Sequence, residues 1–393
     1  MKITSVDVII SNDERCPGRA WKPVFVRVNT DEGLYGYGEA GVAYTTGSYA
    51  AAEMMVDYAG YIVRKDPMKN EAIWNLLHRQ TFWGMGGGTI VSAAVSAIDI
   101  ALWDIRGKAL NAPVYQLLGG KTNEKLHTYA SQIQFNWGSE RILCYRPEQY
   151  RQATRNAIEQ GFDCVKVDPV GFDLEGNWMK WNITGSLSRV QIETAVERVA
   201  AIREEGGKNL GIIIELHSLT DTNTAIQLAR ELEPFRIMYY EEPTQPLNPE
   251  LFRYLSSRVS IPLAAGERIY TRWGYRPFLE ERSLSLIQPD FCNCGGITEG
   301  KKICDMAQVY DIGVQGHVCG GPIATAATLQ LEAVIPNFVI HELHQRALTQ
   351  PNIDLCKYNY QPVNGYYDVP DLPGIGQELS DFALERAEII TVK

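Results

Sequence analysis

The chain has 393 residues, of which 45% are hydrophobic and 21% are charged, and its formal net charge is -10. This length exceeds what a single hydrophobic core fills, so we expect one large domain with a smaller companion. The negative charge argues against nucleic acid or an anionic membrane as a partner. The N-terminus lacks the apolar segment of a signal peptide, no stretch is long enough to span a membrane, and the eight cysteines are scattered. We therefore expect reduced thiols and a cytoplasmic protein.

The first third of the chain predicts an α+β unit. Residues Ile3–Ile10 and Val24–Asn29 alternate between apolar and polar side chains, and the glycines of 33–38 indicate tight turns around a further strand. From Ser48 to about Leu118 the apolar residues recur with the period of helices. Strands followed by helices predict a separate α+β domain over residues 1–122.

After Lys121 the chain alternates between short strands and helices. His127–Gln132 and Asp163–Asp168 are predicted strands, joined through an amphipathic helix around Pro147–Gln160. Six more short apolar runs follow, which read IIIE, RIMYYE, IPLAAGE, LSLIQPD, DIGVQGH and NFVIHE. Eight parallel strands in series predict a modified (β/α)8 TIM-type barrel over residues 123–359.

Two further segments lie outside this alternation. Residues 171–188 form an insert after the second barrel strand, which we interpret as a substrate cover or as a plain surface loop. Residues 360–393 end in a strand-like run that we expect to return to the first unit.

Polar residues end the six later runs at nearly even spacing, with gaps of 23 to 27 residues. The six residues are Glu215, Glu241, Glu267, Asp290, His317 and Glu342. In a closed parallel barrel the C-terminal ends of the strands converge at one face, where the working residues lie. The spacing therefore predicts one polar site.

Three of these residues are carboxylates on consecutive strands: Glu215, Glu241 and Glu267. Carboxylate oxygens with open positions for water and substrate suit Mg²⁺, whereas three uncompensated acids would repel one another. The alternative is a set of solvated acids at strand ends. Since neighbouring residues on a strand point to opposite faces, only one of Glu241 and Glu242 can be a ligand.

The remaining polar strand ends predict acid–base chemistry. Asp290 and His317 end neighbouring strands, where a carboxylate on one ring nitrogen would leave the other as a general base. His217 lies two residues after Glu215 and is a second candidate acid or base; Lys166 is a cation on a buried strand. Glu342 is a candidate protonated donor or a simple polar strand end. We expect structural roles for the other histidines, which are His78, His127, His341 and His344.

These residues closely resemble the enolase superfamily, in the mandelate racemase subgroup. The resemblance covers essentially the whole chain, through Gly33–Glu39, Ala94–Gly119, the Glu-Glu-Pro at 241–243 and the motif DVPDLPGIG at 368–376, together with Lys166 and the six strand-end residues. It implies a capping domain built from both termini and Mg²⁺ held by the three glutamates. It also implies removal of the proton α to a carboxylate, a mechanism known for the superfamily, and a homo-oligomer.

The chain departs from the mandelate racemase pattern at three positions. The second strand carries Lys166-Val-Asp168 where that pattern has Lys-x-Lys, which removes one of the two bases that a racemase needs. The first ligand is Glu215 where Asp is usual. His217 resembles the histidine that assists loss of the 3-hydroxyl in the acid-sugar dehydratases of the family.

The sequence therefore predicts a hydro-lyase: a Mg²⁺-dependent sugar-acid dehydratase that yields a 2-keto-3-deoxy acid. His317, oriented by Asp290, is the expected base, with Lys166 and Glu342 stabilising the charge and His217 protonating the leaving hydroxyl. Two alternatives remain, a cycloisomerase or epimerase of a sugar acid or lactone, and a barrel that binds sugar acid without turnover. Substrate contacts are expected from capping loops 15–22 and 43–49, from Trp178 and Trp181 of the insert, and from individual residues Arg15, Lys22, Trp83 and Asp168.

Overall fold

The computed structural model describes residues 1–16, 21–179 and 184–393, and it contains an antiparallel sheet and a separate parallel sheet. The antiparallel sheet has the order β13-β1-β2-β3 and belongs to the capping domain. Its strands are β1 (Ile3–Ile10), β2 (Val24–Thr30), β3 (Tyr35–Ala40) and β13 (Glu388–Val392). The C-terminal strand pairs antiparallel with β1, so the chain end returns to the first unit as expected.

Helices cover one face of this sheet. They are α1 (Ser48–Ile62), α2 (Asn70–Asn75), a π-helix (Leu76–Gln80), a 3-10 turn (Gly84–Gly86), α3 (Thr89–Ala109) and α4 (Val114–Leu117). The long helix α3 lies directly on β3, because Gly36 and Gly38 have no side chain there. A Cβ atom at either glycine would overlap the carbonyl oxygens of Ala101 and Ala97. The glycine repeat that the sequence shows in this strand therefore permits close helix–sheet packing.

The parallel sheet forms the barrel. Its strands are β4 (Lys125–Ser131), β5 (Cys164–Val167), β6 (Gly211–Glu215), β7 (Tyr239–Glu241), β8 (Leu263–Ala265), β9 (Leu286–Ile287), β10 (Gly313–Val314) and β11 (His341–His344). They pair in sequence order from β4 to β10, and β11 pairs with β4. A parallel bridge between Val314 and Phe338 connects β10 to the segment before β11. The expected eight-stranded α/β barrel with an α+β cap is confirmed.

Helices alternate with these strands. They are α5 (Pro147–Glu159), α6 (Arg189–Gly206), α7 (Thr222–Leu232), α8 (Pro249–Ser256), α9 (Thr271–Glu280), α10 (Gly296–Val309) and α11 (Pro322–Glu332), followed by α12 (Gln350–Ile353) and α13 (Asp381–Arg386). Short 3-10 turns lie at Ile133–Phe135, Glu233–Phe235 and Gln345–Leu348. The strand β12 (Tyr366–Asp368) pairs antiparallel with β4 on the way back to the cap. The domain limits at 122 and 359 stay predictions.

The later barrel strands are shorter than the sequence pattern predicts. Glu267 lies two residues beyond β8, while Asp290 and His317 each lie three residues beyond β9 and β10. These residues lie on loops at the mouth of the barrel. The backbone there no longer makes the hydrogen bonds of the sheet, so successive side chains need not point to opposite faces. Among the described residues, no helix is both long and apolar enough to cross a lipid bilayer.

Buried carboxylates hold the cap on the barrel. Glu39 of β3 accepts hydrogen bonds from the backbone N–H groups of Gly321 and Ala324, where α11 begins. Asp99 of α3 accepts from the backbone N–H of Thr298 at 2.8 Å. Because unpaired N–H groups at a helix start carry partial positive charge, an acid from the neighbouring domain stabilises the joint.

Candidate active site

A cavity of about 660 Å³ lies at the C-terminal ends of the barrel strands, under loops of the cap. The cap contributes residues of its loop at 41–46, and the barrel contributes most of the charged wall. Of the predicted site residues, Lys166, Glu215, His217, Glu267, His317 and Glu342 line this cavity. Asp290, Asp168 and Glu241 lie behind the wall and contact lining residues.

The three candidate metal ligands come together. Glu215 and Glu241 are register partners across β6 and β7, and Glu267 follows the next strand. One carboxylate oxygen of each lies within 4.8 Å of the others. Glu242 points the other way, where it pairs with Arg268 and accepts from Ser218 Oγ at 3.1 Å. The alternation along β7 thus directs Glu241, and not Glu242, into the cluster.

The chemistry of this cluster fits a divalent cation. Glu215 Oε2 is buried and accepts no hydrogen bond, and the Lys166 ammonium approaches it only to 3.5 Å, which leaves this oxygen able to coordinate a cation. Burial and the charge of Glu215 raise the pKa of Glu241 to about 8. Buried carboxylates that are all negatively charged repel one another and destabilise the folded state, unless a cation or a bound proton neutralises part of the charge. Oxygen ligands of this kind suit a hard cation such as Mg²⁺.

Lys166 lies at the centre of the acidic residues. Its Nζ atom is 2.7 Å from Glu342 Oε1, 3.0 Å from Glu241 Oε1 and 3.5 Å from Glu215 Oε2. Burial alone would lower the pKa of Lys166, but Glu241 and Glu342 outweigh it and raise the pKa well above its ordinary value. Lys166 is therefore a permanent cation within reach of the cavity.

Glu342 differs from the protonated donor considered from the sequence. Its Oε1 accepts from Ser131 Oγ at 2.6 Å, and its Oε2 accepts from the backbone N–H of Val318 at 3.0 Å. Burial would raise the pKa of Glu342, but Lys166 and His317 lower it below its ordinary range. A carboxylate that accepts hydrogen bonds and contacts Lys166 favours a positioning role for Glu342, and its role in the reaction stays a prediction.

His317 lies between two carboxylates. Its Nδ1 is 2.8 Å from Asp290 Oδ2, and its Nε2 is 2.8 Å from Glu267 Oε2. Burial would lower the pKa of His317, but Glu267 and Asp290 raise it well above its ordinary value. Asp290 also accepts from the backbone N–H of Cys292, which orients the carboxylate toward the ring. This geometry leaves Nε2 as the ring nitrogen on the cavity side.

His217 has a carboxylate partner of its own. Its Nδ1 is 2.9 Å from Asp168 Oδ2, and its backbone N–H donates to Glu215 Oε1 at 2.7 Å. Burial lowers the pKa of His217, but Glu215 and Asp168 outweigh it and raise the pKa to about 9. The backbone of His217 has φ 47°, a left-handed conformation that is costly outside glycine and common at functional sites.

The four residues predicted to contact the substrate do not line the cavity. Asp168 is fully buried and binds His217, so it positions that ring and does not line the cavity. Arg15 pairs with Asp13 and Asp354, the Nζ atom of Lys22 donates to the carbonyl of Ser11, and Trp83 is 78% exposed. None of these three belongs to the cavity wall among the described residues.

The insert and the first capping loop are described only in part. Trp178 of the insert lines the cavity and packs edge-on against Phe172. Trp181 and the middle of the loop at 15–22 lie outside the described residues. The second capping loop contributes Tyr44, Thr45 and Thr46 to the wall.

His344 and Arg141 are among the cavity residues that the sequence reasoning missed. His344, expected to be structural, lines the cavity, and its position two residues after Glu342 on one strand was the available signal. Arg141 also lines the cavity from the loop after β4, where no periodic pattern marks it. The other expected structural histidines are bound elsewhere: His341 to Glu332, His127 to Asp163, and His78 stacked on Trp273.

Comparison with known proteins agrees with this architecture. Residues 149–383 match the family described as enolase C-terminal domain-like. Residues 19–119 match the N-terminal domain of the mandelate racemase/muconate lactonizing enzyme family. The two matches fall on the barrel and on the cap.

Individual relatives span nearly the full chain. A D-galactonate dehydratase of Xanthomonas oryzae is 34% identical over 374 residues, covering 93% of this chain and 90% of the relative. The crystal structure of an enolase superfamily member from Salmonella Typhimurium has a TM-score of 0.96 with 55% identity, covering 100% of both chains. The 3,6-anhydro-D-galactonate cycloisomerase of Zobellia galactanivorans has a TM-score of 0.84 with 27% identity, covering 99% of this chain and 100% of that one.

The family matches and these relatives confirm the resemblance drawn from the strand-end residues. The chain is an enzyme of the enolase superfamily and belongs to its mandelate racemase/muconate lactonizing enzyme family.

Proposed function

We propose that this enzyme is a Mg²⁺-dependent dehydratase that converts a sugar acid into a 2-keto-3-deoxy acid and water. One observation carries the proposal: two half-buried histidines, each bonded to its own carboxylate, flank a cluster of three glutamates. His217 follows β6 and His317 follows β10, four strands apart in an eight-stranded barrel. They therefore approach the cavity from opposite sides, which suits separate acid and base roles.

Glu215, Glu241 and Glu267 would hold the cation. When bound, Mg²⁺ supplies positive charge to the substrate carboxylate and to the charge that grows on it as the α-proton leaves. Lys166 adds a fixed ammonium beside the same group, and Glu342 keeps that ammonium in place. An α-proton next to a carboxylate is a very weak acid, so stabilisation of the developing charge is the main requirement.

The two histidines then divide the proton transfers. Nε2 of His317 faces Glu267 in this structure, and in the neutral form of the ring it takes the proton from C2. Asp290 stabilises the imidazolium that forms. The C2–H electron pair moves toward C3, and the C3–O bond breaks as Nε2 of His217 donates a proton to the departing hydroxyl. Water leaves, and the resulting enol tautomerises to the 2-keto acid. Because the histidines face each other, elimination should be anti.

The dehydratase relatives support this reaction type, since the Xanthomonas protein is named for dehydration of D-galactonate. All eight cysteines are unpaired thiols, which supports the cytoplasmic location inferred from the sequence. A homo-oligomer remains a prediction.

A screen of C4–C6 aldonic and aldaric acids with Mg²⁺ tests the reaction, with detection of 2-keto acids and of deuterium at C2 in D₂O. In His317→Asn we expect both dehydration and exchange to fall at least about 10³-fold. In His217→Asn we expect dehydration to fall by a similar factor while exchange at C2 persists, because the base remains.

His127→Asn is the matched control, since this histidine pairs with Asp163 away from the cavity. The control should match the unmodified enzyme. Full dehydration activity in His317→Asn would refute the assignment of the base. Loss of exchange in His217→Asn together with normal exchange in His317→Asn would reverse the two roles.

A second candidate, an epimerase or cycloisomerase, draws on the same pair of histidines. Two rings on opposite sides of the cavity could remove a proton from one face of C2 and return it to the other. The cycloisomerase from Zobellia galactanivorans shares the fold. Exchange at C2 without any 2-keto product would favour this candidate over dehydration.

A further inference from the structure

The wall of the cavity opposite the acidic cluster is cationic. Arg141 follows β4, and its Nη1 atom lies 3.5 Å from Oε1 of Gln345, which follows β11. These are the first and last barrel strands, whereas Glu241 lies on β7, the fourth. A substrate with its reacting carboxylate at the glutamates would extend its far end toward Arg141.

Arg141 has no acidic partner in the part of the chain that the structure describes. The other cationic side chains of the cavity wall are Lys166, which contacts three carboxylates, and Arg268, which pairs with Glu242 and Glu267. Among residues 1–16, 21–179 and 184–393, no acid lies within ion-pair distance of Arg141. Its guanidinium is half-buried and stacks 3.3 Å from the ring centre of Phe135. Stacking leaves the N–H edges of the guanidinium free to donate.

A second guanidinium strengthens this charge. Nε of Arg346 is buried without a hydrogen-bond partner, and no described acid pairs with Arg346 either. Its guanidinium packs 5.2 Å from the ring centre of Trp21. Burial and Arg346 together lower the pKa of Arg141 to about 10, so each guanidinium raises the energy of the other. An uncompensated cation on the cavity wall, with a second cation beside it, favours an anion at that wall.

His344 adds a neutral donor to the same wall. Its Nδ1 accepts the backbone N–H of Arg346 at 3.1 Å, so the ring proton resides on Nε2. Burial lowers the pKa of His344 well below its ordinary value, which keeps the ring neutral. At this wall Arg141 and His344 offer N–H donors, while the carboxylate of Glu342, on the same strand as His344, is already paired with Lys166.

We propose that Arg141, backed by Arg346, binds a second carboxylate at the far end of the substrate, so the substrate is an aldaric acid. This proposal rests on the proposed function, since it takes the reacting end to lie at the glutamates. It departs from the substrate in the name of the Xanthomonas relative, because galactonate carries a single carboxylate. A guanidinium matches a carboxylate with two parallel hydrogen bonds, which gives both affinity and orientation.

The test uses aldonates and aldarates of matched configuration, namely threonate with tartrate isomers, gluconate with glucarate, and galactonate with galactarate. We expect a higher kcat/KM for an aldarate than for its paired aldonate. In Arg141→Met, KM for the aldarate should rise at least about 30-fold more than KM for the aldonate, as for loss of a desolvated charge pair. Arg141→Lys should recover part of the difference.

Arg276→Met serves as the matched control, because Arg276 is exposed on α9 and pairs with Glu280. Equal loss on both substrates of a pair in Arg141→Met would overturn the proposal. If the enzyme prefers 6-phosphoaldonates to aldarates and Arg141→Met loses this preference, the group that binds Arg141 is a phosphate, and the proposed carboxylate is overturned. Circular dichroism and Tm establish that each variant is folded.

A binding measurement separates this proposal from the proposed function. Calorimetry of aldarate and aldonate binding to Mg²⁺-loaded His317→Asn, with and without Arg141→Met, needs no turnover. If the aldarate binds more tightly than the aldonate and this difference depends on Arg141, the carboxylate site at Arg141 is supported even if no acid is dehydrated. If an aldonate is dehydrated but Arg141 makes no difference to aldarate binding, the proposed reaction is upheld and the carboxylate site at Arg141 is refuted.

Discussion

Buried acids occupy two regions of this enzyme, and their surroundings differ. In the cap, Glu39 and Asp104 are fully buried, and all their oxygens have hydrogen-bond donors, chiefly backbone N–H groups. In the cavity, Glu215 and Glu241 lie side by side and share the ammonium of Lys166, and Glu215 Oε2 accepts no hydrogen bond. The cap acids thus have a hydrogen-bond donor for each oxygen, whereas the cavity acids lack one and repel each other until a further cation offsets their charge.

The largest effect that follows from this comparison concerns the metal cluster. In Glu241→Gln we expect activity to fall at least about 10³-fold, because a ligand and its charge are lost. The Tm without Mg²⁺ should stay level or rise, since repulsion with Glu215 is removed. Differential scanning fluorimetry with and without Mg²⁺ measures this, and the rise in Tm on adding Mg²⁺ should disappear.

Glu242→Gln is the matched control, since this neighbour points away from the cluster and pairs with Arg268. It should keep the rise in Tm with Mg²⁺. If Glu242→Gln lost that rise while Glu241→Gln kept it, the ligand assignment along β7 would be wrong.

A smaller effect, on stability, is expected at Asp104 in the cap. Asp104 accepts from the backbone N–H groups of Tyr37 and Ile375 and pairs with Lys108 at 2.8 Å. Asp104→Ala leaves these buried donors unpaired, so the free energy of unfolding should fall by about 3–5 kcal/mol. Urea unfolding measures the change. Asp305→Ala, at an exposed position of α10, should change the free energy of unfolding little. An equal loss of stability in that variant would refute the structural role of Asp104.

An effect of similar size is a pH dependence at Asp99. Burial raises the pKa of Asp99 to about 7 from an ordinary value of 3.8. The folded state therefore holds a proton that the unfolded state releases, so this group's contribution to stability falls as pH rises from about 4 to about 7. The loss is on the order of 4 kcal/mol and is complete above that window.

Asp99→Asn removes this titration. Urea unfolding at several pH values should show that the free energy of unfolding of the variant increases relative to that of the unmodified enzyme as pH rises from about 4 to about 7. A constant difference across that window would refute the raised pKa. Asp305→Asn provides the control for a general effect of removing an acid.

The sequence carried much of the candidate site because the barrel repeats. Strand-end residues recur every 23 to 27 positions, so Glu215, Glu241 and Glu267 could be grouped without coordinates. The pairing of His317 with Asp290 followed from the same repetition. The loop residues resisted prediction, because Arg15 and Arg141 both lie in loops and their local sequences do not tell which one reaches the cavity.

By itself, the sequence determined the capped barrel, the cluster of three carboxylates and the candidate base, because strand and helix periods and the meeting of parallel strand ends follow from local chemistry. Only the tertiary structure decided that Glu241 faces inward while Glu242 pairs with Arg268. It also decided that Asp168 holds His217 and that Arg141 faces the cavity without an acid partner among the described residues. Those outcomes depend on contacts between distant segments, which no local pattern encodes.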